Sequence, residues 1–165
     1  MCLRGECLGR SRGGLTTKVH LSCGRDAKPF SVHISAGQAS DSKHLEAVLD
    51  AIRLPHKGPG RPRKRPDRCT TDKGYSYARC RQSLRRRGIK SLIPERKDQR
   101  SNRLKKGSKG GRPVAFDREH YKNRNLIERC HLRLKQFRRF ATRYEKRAQN
   151  YLAVATIAAI FVWIK

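Results

Sequence analysis

Apolar and polar residues alternate along the first part of the chain. Thr17, Val19 and Leu21 fall on one side of an extended run, with Lys18 and His20 on the other; Phe30, Val32 and Ile34 repeat the pattern. A period of two marks half-buried strands. Gly24-Arg25-Asp26-Ala27 between them reads as a turn, so the two runs predict a β-hairpin. Gly37 ends its second strand. The period then changes. Leu45, Val48, Leu49 and Ile52 recur at i, i+3, i+4 and i+7, a helical stripe, with Asp41 and Ser42 as candidate N-caps.

Beyond a Pro-rich stretch, residues 68–71 predict a short strand running into Asp72. A helix capped by Ser76 should follow, with Gly88 at its C′ position. Residues 89–93 predict another short strand, stopped by Pro94. From Asp117 the pattern turns helical and continues to the C-terminus. Residues 1–14, rich in Gly and Arg, predict a loop. Two further loops are expected at about 54–67 and 95–115. The first holds Pro55, Pro59, Pro62 and Pro66, each lacking a backbone donor. The second is basic and poor in apolar side chains, and predicts a segment that is mobile or ordered only on DNA. This order argues for one α/β or α+β domain over residues 1–165, a sheet with helices packed on it.

Charge changes the picture most. The chain has 165 residues, with 41 Lys and Arg against 13 Asp and Glu, a formal net charge of +28. Self-repulsion on that scale opposes compaction unless a polyanion offsets it. Nucleic acid is the first candidate, because neutralised phosphates release counterions; an anionic membrane is the second. Between Arg53 and Arg112 there are 22 Lys and Arg and only four acidic residues, Asp67, Asp72, Glu95 and Asp98. Within that span, Gly60-Arg61-Pro62-Arg63-Lys64-Arg65-Pro66 resembles an AT-hook, whose arginines favour the narrow minor groove of A·T-rich DNA. Gly111-Arg112-Pro113 repeats its core more weakly. The plain alternative is a solvated basic loop.

The cysteines, Cys2, Cys7, Cys23, Cys69, Cys80 and Cys130, form no C-x-x-C pair and no zinc spacing with the histidines. They fit a reducing cytosol, as small apolar side chains. The N-terminus has no apolar core of a signal peptide. The apolar run 151–164 is shorter than the ~20 residues of a spanning helix and predicts a buried helix. Burial of Ile157, Ile160 and Phe161 against the sheet would dismiss a membrane-associated reading.

The most informative stretch runs from Tyr121 to Lys135. On one continuous helix, Tyr121, Arg124, Glu128 and Lys135 would lie within an arc of roughly 60°. Leu126, Cys130, Leu134, Phe137, Ala141 and Tyr144 would face the core. A carboxylate can hold a divalent ion through oxygen, and Arg and Lys can hold phosphates beside it. On spacing alone, however, Glu128 also reads as the i, i+4 partner of Arg124 in a surface ion pair. Asp72 likewise reads as a turn or cap residue, although the C-terminal edge of a strand is where α/β sheets tend to hold ligands.

Tyr121, Arg124, Glu128 and Lys135 match the Y-x2-R-x3-E-x6-K signature of DDE transposases from bacterial insertion sequences, which the chain resembles. Gly9-Arg10-Ser11-Arg12-Gly13-Gly14-Leu15-Thr16-Thr17-Lys18 is similar to a segment common in one branch of that family. Thr71-Asp72-Lys73-Gly74-Tyr75 is similar to its second-Asp motif, and Asn125-Leu126-Ile127-Glu128-Arg129 to its Glu motif. The resemblance implies an RNase H-like fold, a mixed sheet flanked by helices. It implies three carboxylates holding two Mg2+ ions, and in-line displacement at the phosphates of element ends and target DNA. By position, Asp72 is the second carboxylate and Glu128 the third, both metal ligands. Tyr121, Arg124 and Lys135 should contact the DNA backbone; Arg61, Arg63 and Lys64 are the other expected DNA contacts.

No residue matches the first Asp, which the family carries on a central strand before Gly9. Asp26, in a turn, and Asp41, at a helix start, do not replace it. The expectation is therefore a C-terminal portion of the catalytic domain, truncated so that the central first strand is missing. As this chain alone it should be inactive: either a relic, or a downstream frame complemented by an upstream reading-frame product. Self-association as a homo-oligomer, a bacterial cytoplasmic location on the nucleoid and no membrane partner are expected by analogy. The alternative is a non-enzymatic basic nucleic-acid-binding protein, which leaves the Tyr-Arg-Glu-Lys series unexplained.

Overall fold

The computed structural model describes residues 5–12, 14–54 and 58–164. Cys2, the start of the expected N-terminal loop, Gly13 of the Gly-Arg motif and Pro55 lie outside them. Two compact units are present: residues 1–64 with 125–165, and residues 65–124.

The first unit is built on the expected hairpin. Strands β2 (Gly14–Cys23) and β3 (Pro29–Ala36) pair antiparallel, with Val19 opposite Ile34 and Leu21 opposite Val32. The turn between them places Ala27 at φ 53° and buries it. A three-residue strand, β1 (Gly9–Ser11), adds to β2 inside the segment expected to be loop. Three residues with two glycines among their neighbours carry no readable alternation, which is why it was not foreseen.

Both faces of the hairpin are covered, so the strands are not half-buried. Val19, Leu21, Cys23 and Val32 pack on a core of Ala27, Cys130, Leu134, Phe140, Ala155, Ala158 and Val162. The opposite face bears α1 (Leu45–Asp50), and the layer between is polar. His20 Nε2 lies 2.8 Å from Ser35 Oγ, the Ser31 hydroxyl donates to the Val48 carbonyl at 2.9 Å, and His33 Nε2 meets His44 Nδ1 at 3.1 Å. Polar groups tolerate burial when each finds a partner, so an alternating pattern concealed a doubly covered sheet. Asp41 is not the helix cap. It opens a 3-10 turn, Asp41–Lys43, and its carboxylate sits 3.1 Å from Lys18 Nζ and 3.7 Å from His20 Nδ1. The residue before α1 is His44, whose side chain makes no cap bond.

This layer makes stability depend on pH. Burial, with the neighbouring His44 adding to it and Asp41 opposing it, lowers His20 from 6.5 to about 4. His33 and His44 are lowered in the same direction, mainly by burial. The folded protein thus binds fewer protons than the unfolded chain between these values. The contribution is complete above about pH 6.5 and is lost as pH falls toward 4. Urea unfolding should show a loss of roughly 2 kcal/mol from His20 between pH 7.5 and pH 5.0. His20→Gln should flatten that slope relative to wild type; equal slopes would refute the assignment.

The expected single helix from Asp117 is four helices: α4 (Arg118–Lys122), α5 (Asn125–Lys135), α6 (Arg138–Ala141) and α7 (Ala148–Ile164). The break before α7 is held by a tertiary contact. Arg143 donates to the carbonyls of Glu145, Lys146 and Glu6 at 2.7–2.8 Å and to the Thr17 hydroxyl. Its guanidinium also lies over the Tyr151 ring, 5.3 Å from the centroid. Cys130, Leu134 and Phe140 are buried as foreseen for this region, but Tyr144, past the break, is exposed and is not part of the core. Arg143→Ala removes charge-assisted bonds and leaves acceptors unmet. It should cost roughly 2–3 kcal/mol in thermal or urea unfolding; an unchanged midpoint would show that these contacts are dispensable.

Helix α7 packs its small face inward, with Ala148, Tyr151, Ala155, Ala158 and Val162 buried. The foreseen burial of the larger residues is not observed: Ile157, Ile160 and Phe161 are 54%, 52% and 50% exposed. Close approach to the sheet selects alanines over isoleucines, so size decides the buried face. No helix among the described residues is long and apolar enough to cross a membrane.

In the second unit, β4 (Arg68–Thr70) and β5 (Lys90–Leu92) pair in parallel, as the two short expected strands. Helix α2 (Ala78–Arg86) joins them and buries Cys80, Ser83 and Leu84. Gly88 follows it at φ 64°, the left-handed position expected of it. Ser76 is buried but is not the cap; Tyr77 precedes the helix without a side-chain cap bond. The segment 95–115 is not simply a loop, since it contains α3 (Lys97–Lys105) and a 3-10 turn, Gly107–Gly110. Ion pairs and caps, rather than an apolar stripe, support α3. Arg103 forks onto Glu95 at 3.1 and 3.0 Å, Arg96 reaches Asp98, and Gln99 caps the Arg96 backbone and donates to the Ser76 carbonyl.

Candidate functional site

Asp72 follows directly on β4, at the C-terminal end of a parallel strand pair. Its backbone is extended, and Oδ1 accepts from the Gly74 N–H at 2.9 Å, capping the 3-10 turn Lys73–Tyr75. The turn-and-cap role open to it from sequence is therefore real. The side chain is exposed, so the cap also fixes a carboxylate at the solvent edge of the sheet. Thr71 and Ser76, on either side of the turn, each have a buried hydroxyl with no hydrogen-bond partner.

Glu128 lies in the first turn of α5 and Lys135 at its end. Seven residues apart, they share one face of that helix, and both are exposed. A carboxylate in the first turn and basic residues in the last suit the helix dipole. Tyr121 sits in α4, its ring 4.9 Å from that of Phe116, and the Arg124 N–H donates to the Tyr121 carbonyl in the turn that ends α4. The arc of four side chains on one helix is thus corrected: only Glu128 and Lys135 share a helix. The chain leaves helical geometry at Asn123 and Arg124, between two positions that the spacing treats as consecutive turns.

Asp72, Tyr121 and Arg124 belong to the unit 65–124, Glu128 and Lys135 to the other. Among the described residues, no group of three or more His, Cys, Asp or Glu side chains is placed to hold one metal ion. Asp72 and Glu128 offer the hard oxygen donors that Mg2+ prefers, but they do not make a complete metal centre by themselves.

The basic stretch is presented outward. Arg61, Arg63 and Lys64 are all exposed, on a loop closed by paired backbone bonds between Leu54 and Arg63 at 2.9 and 3.2 Å. Sequence reasoning did not single out Arg68 and Lys90. They stand opposite each other at the starts of β4 and β5, with Arg68 3.8 Å from Asp117. Like charges placed opposite on neighbouring strands repel. The available signal was a basic residue at the start of each predicted strand.

Comparison with known proteins agrees with these motifs. The family described as Transposase DDE domain matches residues 5–163. A Burkholderia cepacia protein whose name proposes it as the transposase for insertion sequence element IS402 is 31% identical over 154 residues, 93% of this chain. The chain spans 64% of that relative, less than two thirds of its length. No solved structure matches. Divalent metal ions and DNA phosphoryl transfer are general to enzymes of this kind, and with the match running over nearly every residue, the chain belongs to the DDE transposase family of bacterial insertion sequences.

Proposed function

We propose that these residues form the C-terminal portion of an RNase H-like transposase catalytic domain that cleaves element ends and joins them to target DNA. The family match across the Asp72 and Glu128 motifs carries the reading. Asp72 is the second carboxylate and Glu128 the third, with Mg2+ as the ion they hold in the complete enzyme. The parallel pair β4–β5 and the antiparallel hairpin β2–β3 suit the mixed sheet of that fold. Tyr121, Arg124 and Lys135 bind the DNA backbone beside the scissile phosphate, and Arg61, Arg63 and Lys64 bind flanking duplex. A third carboxylate is absent from the motifs of these 165 residues, so the chain alone binds DNA without cutting it. It needs a partner that supplies that carboxylate, another copy or an upstream reading-frame product, and it works in the bacterial cytoplasm on the nucleoid.

The test is Glu128→Gln in the complete transposase, with labelled element-end DNA and Mg2+. Lost cleavage with retained binding supports the reading. Undiminished cleavage overturns it, and binding that never leads to cleavage in any complemented form favours a purely basic nucleic-acid binder.

A further inference from the structure

Cys23 and Cys130 are 107 positions apart, and nothing in their spacing pairs them. The fold does. Cys23 ends β2 at an irregularity in the hairpin register, and Cys130 lies in the middle of α5. Cys130 is fully buried within the core of the first unit, and Cys23 packs against that core from its partly exposed edge. The two thiols are hydrogen-bond partners, and both are unlinked. Such a pair is one small side-chain adjustment from a bond, with one sulfur reachable from solvent.

We propose that Cys23 and Cys130 are a peroxide-oxidisable dithiol whose disulfide fastens α5, the helix carrying Glu128, to the β2–β3 hairpin. Cys23 is the attacking sulfur. The hydrogen bond from Cys130 favours its thiolate and holds it below the ordinary thiol range, while the same contact and burial push Cys130 up. The thiolate attacks one oxygen of a hydroperoxide: an S–O bond forms, the O–O bond breaks, and the leaving alkoxide or hydroxide takes a proton from water. The Cys130 sulfur then attacks the Cys23 sulfenic acid. The S–S bond forms, the S–O bond breaks, and water leaves with the Cys130 proton. Two thiols lose two electrons and the peroxide gains them. In a reducing cytosol such a link is transient, formed under oxidant stress.

The unit 65–124 holds a second neighbouring pair, Cys69 and Cys80, and it is a built-in control. Burial, with Cys80 adding to it, pushes Cys69 up to about 11, so its thiolate is scarce. The full 165-residue chain, treated with graded hydrogen peroxide, alkylated and digested with trypsin without reduction, tests the proposal by mass spectrometry. The expected first product is peptide 19–25 linked to peptide 130–133, reversible by dithiothreitol. Cys23→Ser, at the partly exposed position, should abolish it. The proposal is overturned if Cys69–Cys80 or intermolecular links form first, or if Cys23 oxidises with no linked peptide at any dose. The wild-type digest decides between these outcomes even where a variant folds poorly.

Discussion

Asp72→Asn and Glu128→Gln, each made in the complete transposase, are expected to slow strand cleavage by roughly 10³-fold or more. A ligand that holds a metal at the reacting phosphate stabilises charge that develops only in the transition state, an effect of several kcal/mol. Neither substitution should cost binding. Both carboxylates are exposed in a chain of net charge +28, and next to a phosphodiester each repels it. Neutralising either one should therefore leave DNA affinity unchanged or slightly tighter, by a factor of about two to three on screened Coulomb arguments. This split in sign separates a catalytic role from a structural one. Asp72 carries an added complication, because Oδ1 also caps the Lys73–Tyr75 turn. Asparagine keeps an oxygen for that bond, so Asp72→Asn removes the charge while preserving the cap. Asp72→Ala should lose both, with a fall in stability that Asp72→Asn does not show. Equal cleavage by Asp72→Asn and wild type would remove Asp72 from the site.

The second large effect concerns salt. Binding of the 165-residue chain to duplex DNA should weaken roughly 10³- to 10⁵-fold between 50 and 200 mM salt, the range for six to ten neutralised phosphates. Titrations by fluorescence anisotropy at several salt concentrations give the slope directly. Replacing Arg61, Arg63 and Lys64 together with alanine should reduce the slope by about two to three, since each lost phosphate contact removes nearly one counterion. If the loop also enters the minor groove, wild type should prefer A·T-rich duplex and the triple variant should not. A slope left intact by the triple change would assign the affinity to other basic groups, among them Arg68 and Lys90. Binding insensitive to salt would contradict an electrostatic partner altogether.

The elements legible in the sequence were those whose apolar residues face one layer. The alternation at Val19 and Leu21, and at Val32 and Ile34, specified the hairpin and its register. The short runs around Cys69 and Ser91, each ended by turn chemistry, specified the parallel pair. What stayed hidden was set by polar contacts between distant residues. Arg143 ends a helical pattern by reaching carbonyls as far away as Glu6, and no local signal announces that. The helix at 97–105 stands on Glu95–Arg103 and its caps, with Leu104 63% exposed. A search for apolar periodicity passes over such a helix. Of the candidate site, the residues at Asp72 and Glu128 were legible as motifs. Their mounting was not, because the spacing of Tyr121, Arg124 and Glu128 suits a continuous helix and the chain instead breaks at Asn123–Arg124.

Trp163 is the single tryptophan of the chain. Its indole N–H donates to the Pro29 carbonyl at 2.6 Å, and the Lys28 ammonium sits 5.4 Å from the ring. All three residues belong to the unit formed by 1–64 and 125–165. The protein therefore carries an intrinsic optical probe of one unit only. Tryptophan emission should follow the melting of the hairpin and α7, quenched by the nearby cation while they are folded, and remain blind to residues 65–124. Circular dichroism reads the helices of both units. Superimposed curves from the two signals would mean that the protein melts as one cooperative body, and displaced curves would give the separate stability of each half.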